Sequence, residues 1–162
     1  MLRSEKEIKD LDDICRIIGR SKVLRLAFNH SAAGWPYVVP LSFGFELDCV
    51  DLIFYVHGAT KGQKWELAAQ DNRVTIELDN MFGIIDGPGY DPCQVSTAYD
   101  SVIGQGIIEP LEEMSAKAEA LGAICGHYGV EAAAFPERML AVTAAYRIRV
   151  PKYTAKRNLA AT

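Results

Sequence analysis

The chain has 162 residues, of which 49% are apolar and 23% are charged. This composition predicts one globular domain over residues 1–162, large enough to bury a substantial core. The formal net charge of −4 argues against a nucleic-acid partner, because nucleic-acid-binding domains usually present a strongly basic face.

The first seven residues carry several charges and lack the apolar core of a signal peptide, and no apolar run approaches about 18 residues. We therefore expect a cytoplasmic protein without a membrane partner.

Four cysteines, at positions 15, 49, 93 and 125, are scattered without a C-x-x-C pair. This spacing favours free thiols and gives no support to a metal site.

The first predicted element is an amphipathic helix. Ser4 and Glu7 have the spacing of a capping box, and apolar residues recur at helical spacing from Ile8 until Gly19. Residues 22–28 then alternate as a strand does, and residues 29–34 form a turn before a second strand at 35–45.

Two prolines interrupt that second strand. Pro36 and Pro40 cannot donate a ladder hydrogen bond, so each must lie at an edge, a bulge or a non-bonded position. One interpretation is an ordinary edge strand. The other is that irregular backbone near Pro40 leaves polar groups free to face a planar ligand.

The rest of the chain predicts four more strands, at residues 52–56, 73–79, 99–109 and 141–150, the last ended by Pro151. Helices are expected from just after Ala59 or Thr60 to about residue 72, from Pro110 to about residue 126, and in a shorter piece that spans residues 130–140. Residues 81–96 are expected to form a long loop. The sum is a mainly β protein with flanking helices, a six-stranded antiparallel barrel that is closed or partly closed.

The clearest chemical signal follows the third predicted strand. Lys61 and Lys64 are expected on one face of the first turn of a helix, where cations oppose the helix dipole unless an anion is bound. Gly58 and Gly62 would let the backbone approach that anion closely. The alternative is a pair of solvated surface lysines.

His57 directly precedes this segment. A lone histidine is either a structural hydrogen-bonding residue or, beside a bound phosphate, a group that transfers a proton. No Ser-His-Asp arrangement or pair of carboxylates indicates a hydrolase.

Three motifs in this order resemble the nitroimidazole-resistance (Nim-type) branch of the pyridoxamine 5′-phosphate oxidase-like flavoproteins. They are PYVVPLSFG at residues 36–44, FYVHGATKGQK at 54–64 and YDSVIGQG at 99–106. The similarity covers most of the chain. It departs at Ala155–Lys156, where the family commonly has Gly-Lys, and the irregular segment 81–96 does not align, so no roles are carried over to either.

The resemblance implies a split β-barrel that binds FMN at the interface of a homodimer. Residues expected to bind the cofactor are Val38, Val39, Pro40, Leu41 and Ser42 beside the flavin ring, His57, Gly58, Ala59, Gly62 and Lys64 around the phosphate, and Tyr99 and Ser101, from the same or the partner subunit. His57 is the expected catalytic residue, a proton donor on the substrate side.

The leading functional hypothesis is an FMN-dependent oxidoreductase that reduces 5-nitroimidazole-like or other small acceptors with a nicotinamide donor. The alternative is a protein that binds flavin or haem for storage or sensing without turnover, since this fold is functionally varied. A third interpretation is a structural dimer in which residues 36–64 only pack.

Overall fold

The computed structural model describes residues 4–86, 95–132 and 134–159. Its strands form one sheet and are β1 (Glu7–Ile8), β2 (Leu24–Phe28), β3 (Tyr37–Leu41), β4 (Phe43–Asp48), β5 (Asp51–Ala59), β6 (Arg73–Ile85), β7 (Ser96–Pro110) and β8 (Thr143–Asn158). The α-helices in these ranges are α1 (Leu11–Arg20), α2 (Gln63–Gln70), α3 (Met114–His127) and α4 (Glu137–Ala141).

All the strand pairs are antiparallel, in the order β3-β2-β6-β7-β8-β5-β4, and β1 adds to β8. The two ends of this order, β3 and β4, are joined by Ser42 alone. Because consecutive Cα atoms are about 3.8 Å apart, Leu41 and Phe43 hold the two sheet edges within about 8 Å at this point. The sheet therefore curls into a barrel that is open between β3 and β4.

The core fills the inside of this curled sheet. α1 contributes Ile14, Ile17 and Ile18, which lie on one face of the helix at the spacing that packs against a sheet. The largest fully buried side chains are Phe28, Phe43, Phe54, Ile17, Ile18, Leu24, Leu26, Leu52, Ile76, Leu78, Ile108 and Ile148. α3 covers β4 and β5 from outside this cluster.

A buried polar cluster fixes α1 to the sheet. The carboxylate of Asp100 is fully buried and accepts hydrogen bonds from Arg20 Nη2 at 2.7 Å and from Asn80 Nδ2 at 2.9 Å. Arg157 lies 3.6 Å from the same carboxylate. Since a buried charge is costly unless it is paired, these contacts specify where the end of α1 docks.

The mainly β antiparallel fold with flanking helices is confirmed. The sheet has eight strands rather than six, because the segment predicted as one strand at 35–45 divides at Ser42 into β3 and β4, and Glu7–Ile8 form the extra strand β1. As predicted, the proline-containing strand β3 lies at an edge of the sheet.

The predicted helix starts were too early. α1 begins at Leu11 with Asp10 as its N-cap, whose Oδ1 accepts the Asp13 N–H at 2.9 Å, so the capping box at Ser4 and Glu7 was wrong. Residues 4–6 form a 3-10 turn instead. α2 begins at Gln63 and α3 at Met114 rather than Pro110. In place of the helix predicted over 130–140, α4 covers Glu137–Ala141.

Two predicted boundaries of strands were also wrong. β8 continues through Pro151, which has no register partner on β5 or β7 because the β7–β8 register shifts there and the β5 pairing has ended at Val150. Met81–Ile85 and Ser96, expected in a loop, belong to β6 and β7, which pair with each other. Within that predicted loop, residues 87–94 lie outside the described residues.

Cys15, Cys49 and Cys125 are free thiols, and Cys93 lies outside the described residues. The longest of the described helices, α3, has 14 residues. Within the described ranges, no helix has the length and apolar character needed to cross a bilayer.

Candidate functional site

The opening of the barrel lies where the chain passes from β3 to β4. The β4–β5 ladder begins with the pair Phe43 and Val56, so Ser42 lies beside His57 and the β5 segment from His57 to Ala59 extends beyond β4. β3 leads away from Ser42 to pair with β2 on its other side. We call the gap between the free edge of β3 and residues 57–59 of β5 the split.

One wall of the split is β3. Val38, Pro40 and Ser42 are exposed and face outward, whereas Val39 and Leu41 are partly buried and pack against the core. Val39 and Leu41 can therefore offer only backbone atoms to a ligand on the outer face. Pro40 occupies an edge strand, where its missing N–H is tolerated.

Lys64 forms the opposite wall. It lies in the first turn of α2, and its Nζ is 4.6 Å from the centre of the Trp65 ring. A Cβ added to Gly58 would lie 2.9 Å from Lys64 Nζ, so the absent side chain makes room for the ammonium group. Burial lowers the pKa of Lys64 below its ordinary value. No carboxylate of the described residues forms an ion pair with it.

Trp65 fixes this arrangement. Its side chain is buried and stacks on Tyr146, with ring centres 4.0 Å apart and an angle of 14° between the planes. The indole Nε1 donates a hydrogen bond of 2.7 Å to the carbonyl of Ala59. Trp65 thereby ties α2 to the end of β5 and holds the neighbouring Lys64 over the split.

Sequence reasoning did not identify Trp65 or Tyr146 as part of the site. The available signal was an indole adjacent to the predicted anion-binding lysine, since a buried tryptophan N–H usually has a partner.

Gly62 is the N-cap of α2 with φ of 137°, a backbone conformation that favours glycine. Lys61 precedes this cap, so its predicted place in the first helical turn was wrong.

His57 lies at the surface beside Ser42, with its backbone opposite Ala145 of β8. Partial burial of the ring, followed by repulsion from the Lys64 cation, lowers the pKa of the imidazole below its ordinary value. The neutral form is therefore favoured near pH 7. A neutral imidazole has one N–H donor and one acceptor nitrogen, so it can hold or pass a proton.

Tyr99 and Ser101 lie elsewhere in the chain. Both are on β7, where Ser101 pairs with Asp79 of β6. Two strands, β2 and β6, lie between β3 and β7 in the sheet. One chain thus gathers the predicted residues from 38 to 64 around the split, whereas Tyr99 and Ser101 lie on a strand that is not a neighbour of β3 or β5.

Three solved structures show the same fold. A candidate 5-nitroimidazole antibiotic resistance protein from Bacteroides thetaiotaomicron VPI-5482 is 27% identical, with a TM-score of 0.78 and coverage of 93% of this chain and 85% of that one. The flavocytochrome Anf3 from Azotobacter vinelandii has 15% identity, a TM-score of 0.80 and coverage of 98% and 72%. The FAD and haem binding protein from Mycobacterium smegmatis has 18% identity, a TM-score of 0.78 and coverage of 94% and 73%.

No curated protein matches this sequence. The family model described as pyridoxamine 5′-phosphate oxidase, in contrast, matches residues 10–157, which is nearly the whole chain and includes both walls of the split. The chain therefore belongs to the pyridoxamine 5′-phosphate oxidase family.

Proposed function

We propose that this protein is an FMN-dependent oxidoreductase that binds its cofactor at the split. The observation that carries the proposal is Lys64, a partly buried cation without a carboxylate partner among the described residues, held beside the open ends of two strands. A phosphate group supplies the missing negative charge. Because Gly58 has no side chain, the Lys64 ammonium group can lie close to the end of β5, where it would meet such a group.

The residues of the split suit the two parts of FMN. Lys64, with the backbone from His57 to Ala59 and at Gly62, would hold the phosphate. The exposed face of Val38, Pro40 and Ser42 would lie against the flavin ring, with the backbone of Val39 and Leu41 contributing polar groups along the edge. This division follows from the chemistry of the two walls, one cationic and one apolar.

The protein would act as a homodimer with the flavin at the interface. Tyr99 and Ser101 lie on β7, which borders neither wall of the split in its own chain. Their side chains would reach the site from the partner subunit. The site of each chain would then be completed only on dimerisation.

FMN, when bound, supplies the transfer of a hydride or of electrons. The protein residues orient the ring, hold the phosphate and restrict water at the split. A phosphate beside His57 would favour the charged imidazolium, and this form would give a proton to the reduced substrate. Small nitroaromatic acceptors such as 5-nitroimidazoles are the proposed substrates, supported by the similarity to the Bacteroides protein.

The alternative is a protein that binds flavin or haem without turnover. It is supported by structural neighbours described as a flavocytochrome and as an FAD and haem binding protein, whose similarity extends to the fold alone. Oxidation of NADH and NADPH by the FMN-loaded protein, with and without a nitroimidazole, separates the two. Acceptor-dependent oxidation supports the reductase; a bound flavin that neither nicotinamide reduces contradicts it.

The low pKa of His57 predicts proton uptake when a phosphate binds. Near pH 6.5 the free imidazole is mostly neutral, and a neighbouring anion favours its charged form and raises its pKa. Titration calorimetry of FMN binding in two buffers of different ionisation enthalpy measures the protons taken up. We expect more uptake for the wild type than for His57→Gln; equal values would exclude His57 from the phosphate environment.

A further inference from the structure

The ladder between β2 and β3 stops just before the split. Its last pair is Leu24 with Leu41, and the same register, continued by two residues, would place Lys22 opposite Phe43. Antiparallel pairs alternate between a hydrogen-bonded and a non-hydrogen-bonded kind, and Pro40, which has no N–H, fits the second kind without losing a bond. The pairs on either side of it are therefore hydrogen-bonded. A continued ladder would join the Phe43 N–H to the carbonyl of Lys22.

The hydroxyl of Tyr128 takes the place of that bond. Tyr128 is the C-cap residue of α3. Its oxygen accepts a hydrogen bond from the Phe43 N–H at 3.3 Å and donates one to the carbonyl of Lys22 at 2.9 Å. Two hydrogen bonds in series hold these backbone groups further apart than one direct bond of about 2.9 Å would. The hydroxyl is therefore a spacer at the point where the barrel opens.

The preceding residue, His127, makes a parallel set of contacts. Its Nε2 lies 2.8 Å from the carbonyl oxygen of Ser21, and because a carbonyl only accepts, this nitrogen carries the proton. The centre of the imidazole ring lies 4.1 Å from that of the Phe43 ring. Ser21 and Phe43 are both fully buried. The end of α3 thus contacts the chain before β2 on one side and the start of β4 on the other.

α3 is fixed firmly enough to hold this spacer in place. A Cβ added to Gly44 of β4 would lie 2.6 Å from the carbonyl carbon of Ala123, so the backbones of helix and strand are in close contact there. Ile124 of the same helix is buried. The ammonium group of Lys22 lies 5.8 Å from the centre of the Tyr128 ring, within the range of a cation–π contact. Tyr128 is therefore in position before any ligand arrives.

We propose that Tyr128 is a positioning residue that sets the width of the split for the flavin ring. Its two partners lie on opposite sides of the opening, since Lys22 leads into β2, which pairs with β3, and Phe43 starts β4, which pairs with β5. Without the hydroxyl, the wall formed by β3 is no longer held at its distance from residues 57–59. The role rests on the proposed flavin site, and it concerns the ring rather than the phosphate, which Lys64 would hold.

Flavin binding to the full-length apoprotein tests this role in Tyr128→Phe, which removes the hydroxyl and keeps the ring. We expect FMN and riboflavin to bind about tenfold more weakly, and by the same factor, because they share the same flavin ring. Quenching of flavin fluorescence measures both dissociation constants.

Tyr153→Phe is the matched control. The Tyr153 hydroxyl donates a hydrogen bond of 2.8 Å to the carbonyl of Val50, in the turn between β4 and β5 at the opposite end of β4 from Phe43. This variant loses a bond of the same kind away from the split, so its affinity for either flavin should change by less than about twofold. Urea denaturation verifies that both variants fold and compares their losses of stability.

The absorption spectrum of bound riboflavin gives a readout that a loss of stability alone does not move. At saturation the visible bands should shift in Tyr128→Phe, because the wall beside the ring has moved, and should match the wild type in Tyr153→Phe. Unchanged affinity for both flavins in Tyr128→Phe, a loss for FMN alone, or an equal loss in Tyr153→Phe would overturn the role of Tyr128 and leave the flavin site standing. A folded wild-type protein that binds neither flavin would instead refute the proposed function, and this role with it.

Discussion

Replacing Lys64 with alanine should weaken FMN binding about 30-fold. This corresponds to about 2 kcal/mol, the usual contribution of a hydrogen bond to a charged group. The effect is expected to be large because Lys64 is held in place by Trp65 before any ligand arrives, so little side-chain entropy is lost on binding. Quenching of flavin fluorescence during titration of the apoprotein measures the dissociation constant.

Two controls make this prediction specific to the phosphate. Lys61→Ala removes an exposed cation that precedes the cap of α2, and it should change FMN affinity by less than about twofold. Riboflavin lacks the phosphate, so the wild type and Lys64→Ala should bind it equally. Equal binding of FMN by both proteins, or an equal loss of both ligands, would contradict the role assigned to Lys64.

A methyl group at Gly44 should destabilise the protein by about 3 kcal/mol, the upper part of the usual range for overpacking. The added Cβ would lie 2.6 Å from the carbonyl carbon of Ala123 and 2.6 Å from the amide nitrogen of Ile124. These are backbone atoms of α3, so the whole helix would have to move away from β4. Urea denaturation of Gly44→Ala compares the free energy of unfolding with that of the wild type.

Gly122→Ala is the matched control, the same substitution within α3 itself. A Cβ there has no neighbour within 4 Å among the described atoms, so alanine should raise the free energy of unfolding by about 0.5–1 kcal/mol through helix propensity. If Gly44→Ala were as stable as Gly122→Ala, the close packing of α3 on β4 would be wrong.

The sequence predicts the fold class but not the break between β3 and β4. Tyr37, Val39, Leu41 and Phe43 all face inward, so the alternation continues through Ser42 without a signal. Only the different partners of the two strands, β2 and β5, reveal the split. Similarly, Glu7 and Ile8 leave the predicted first helix because they pair with residues near the other end of the chain, which local periodicity cannot show.

The residues of the candidate site likewise fall into two groups, those that the sequence could place together and those that it could not. His57, Gly58 and Lys64 are close in sequence, so one strand end and one helix start are enough to place them together. The stack of Trp65 on Tyr146 joins residues 81 positions apart and depends on β8 lying beside β5. The contribution proposed for Tyr99 and Ser101 needs a second chain, which a local pattern does not encode.

The absorption spectrum of the purified protein, incubated with FMN and then desalted, tests the central claim most directly. The account predicts a yellow protein that retains visible flavin absorbance at a ratio of one FMN per chain, and a largely colourless Lys64→Ala variant after the same treatment. A folded wild-type protein that emerges colourless would contradict the assignment of the split as a flavin site.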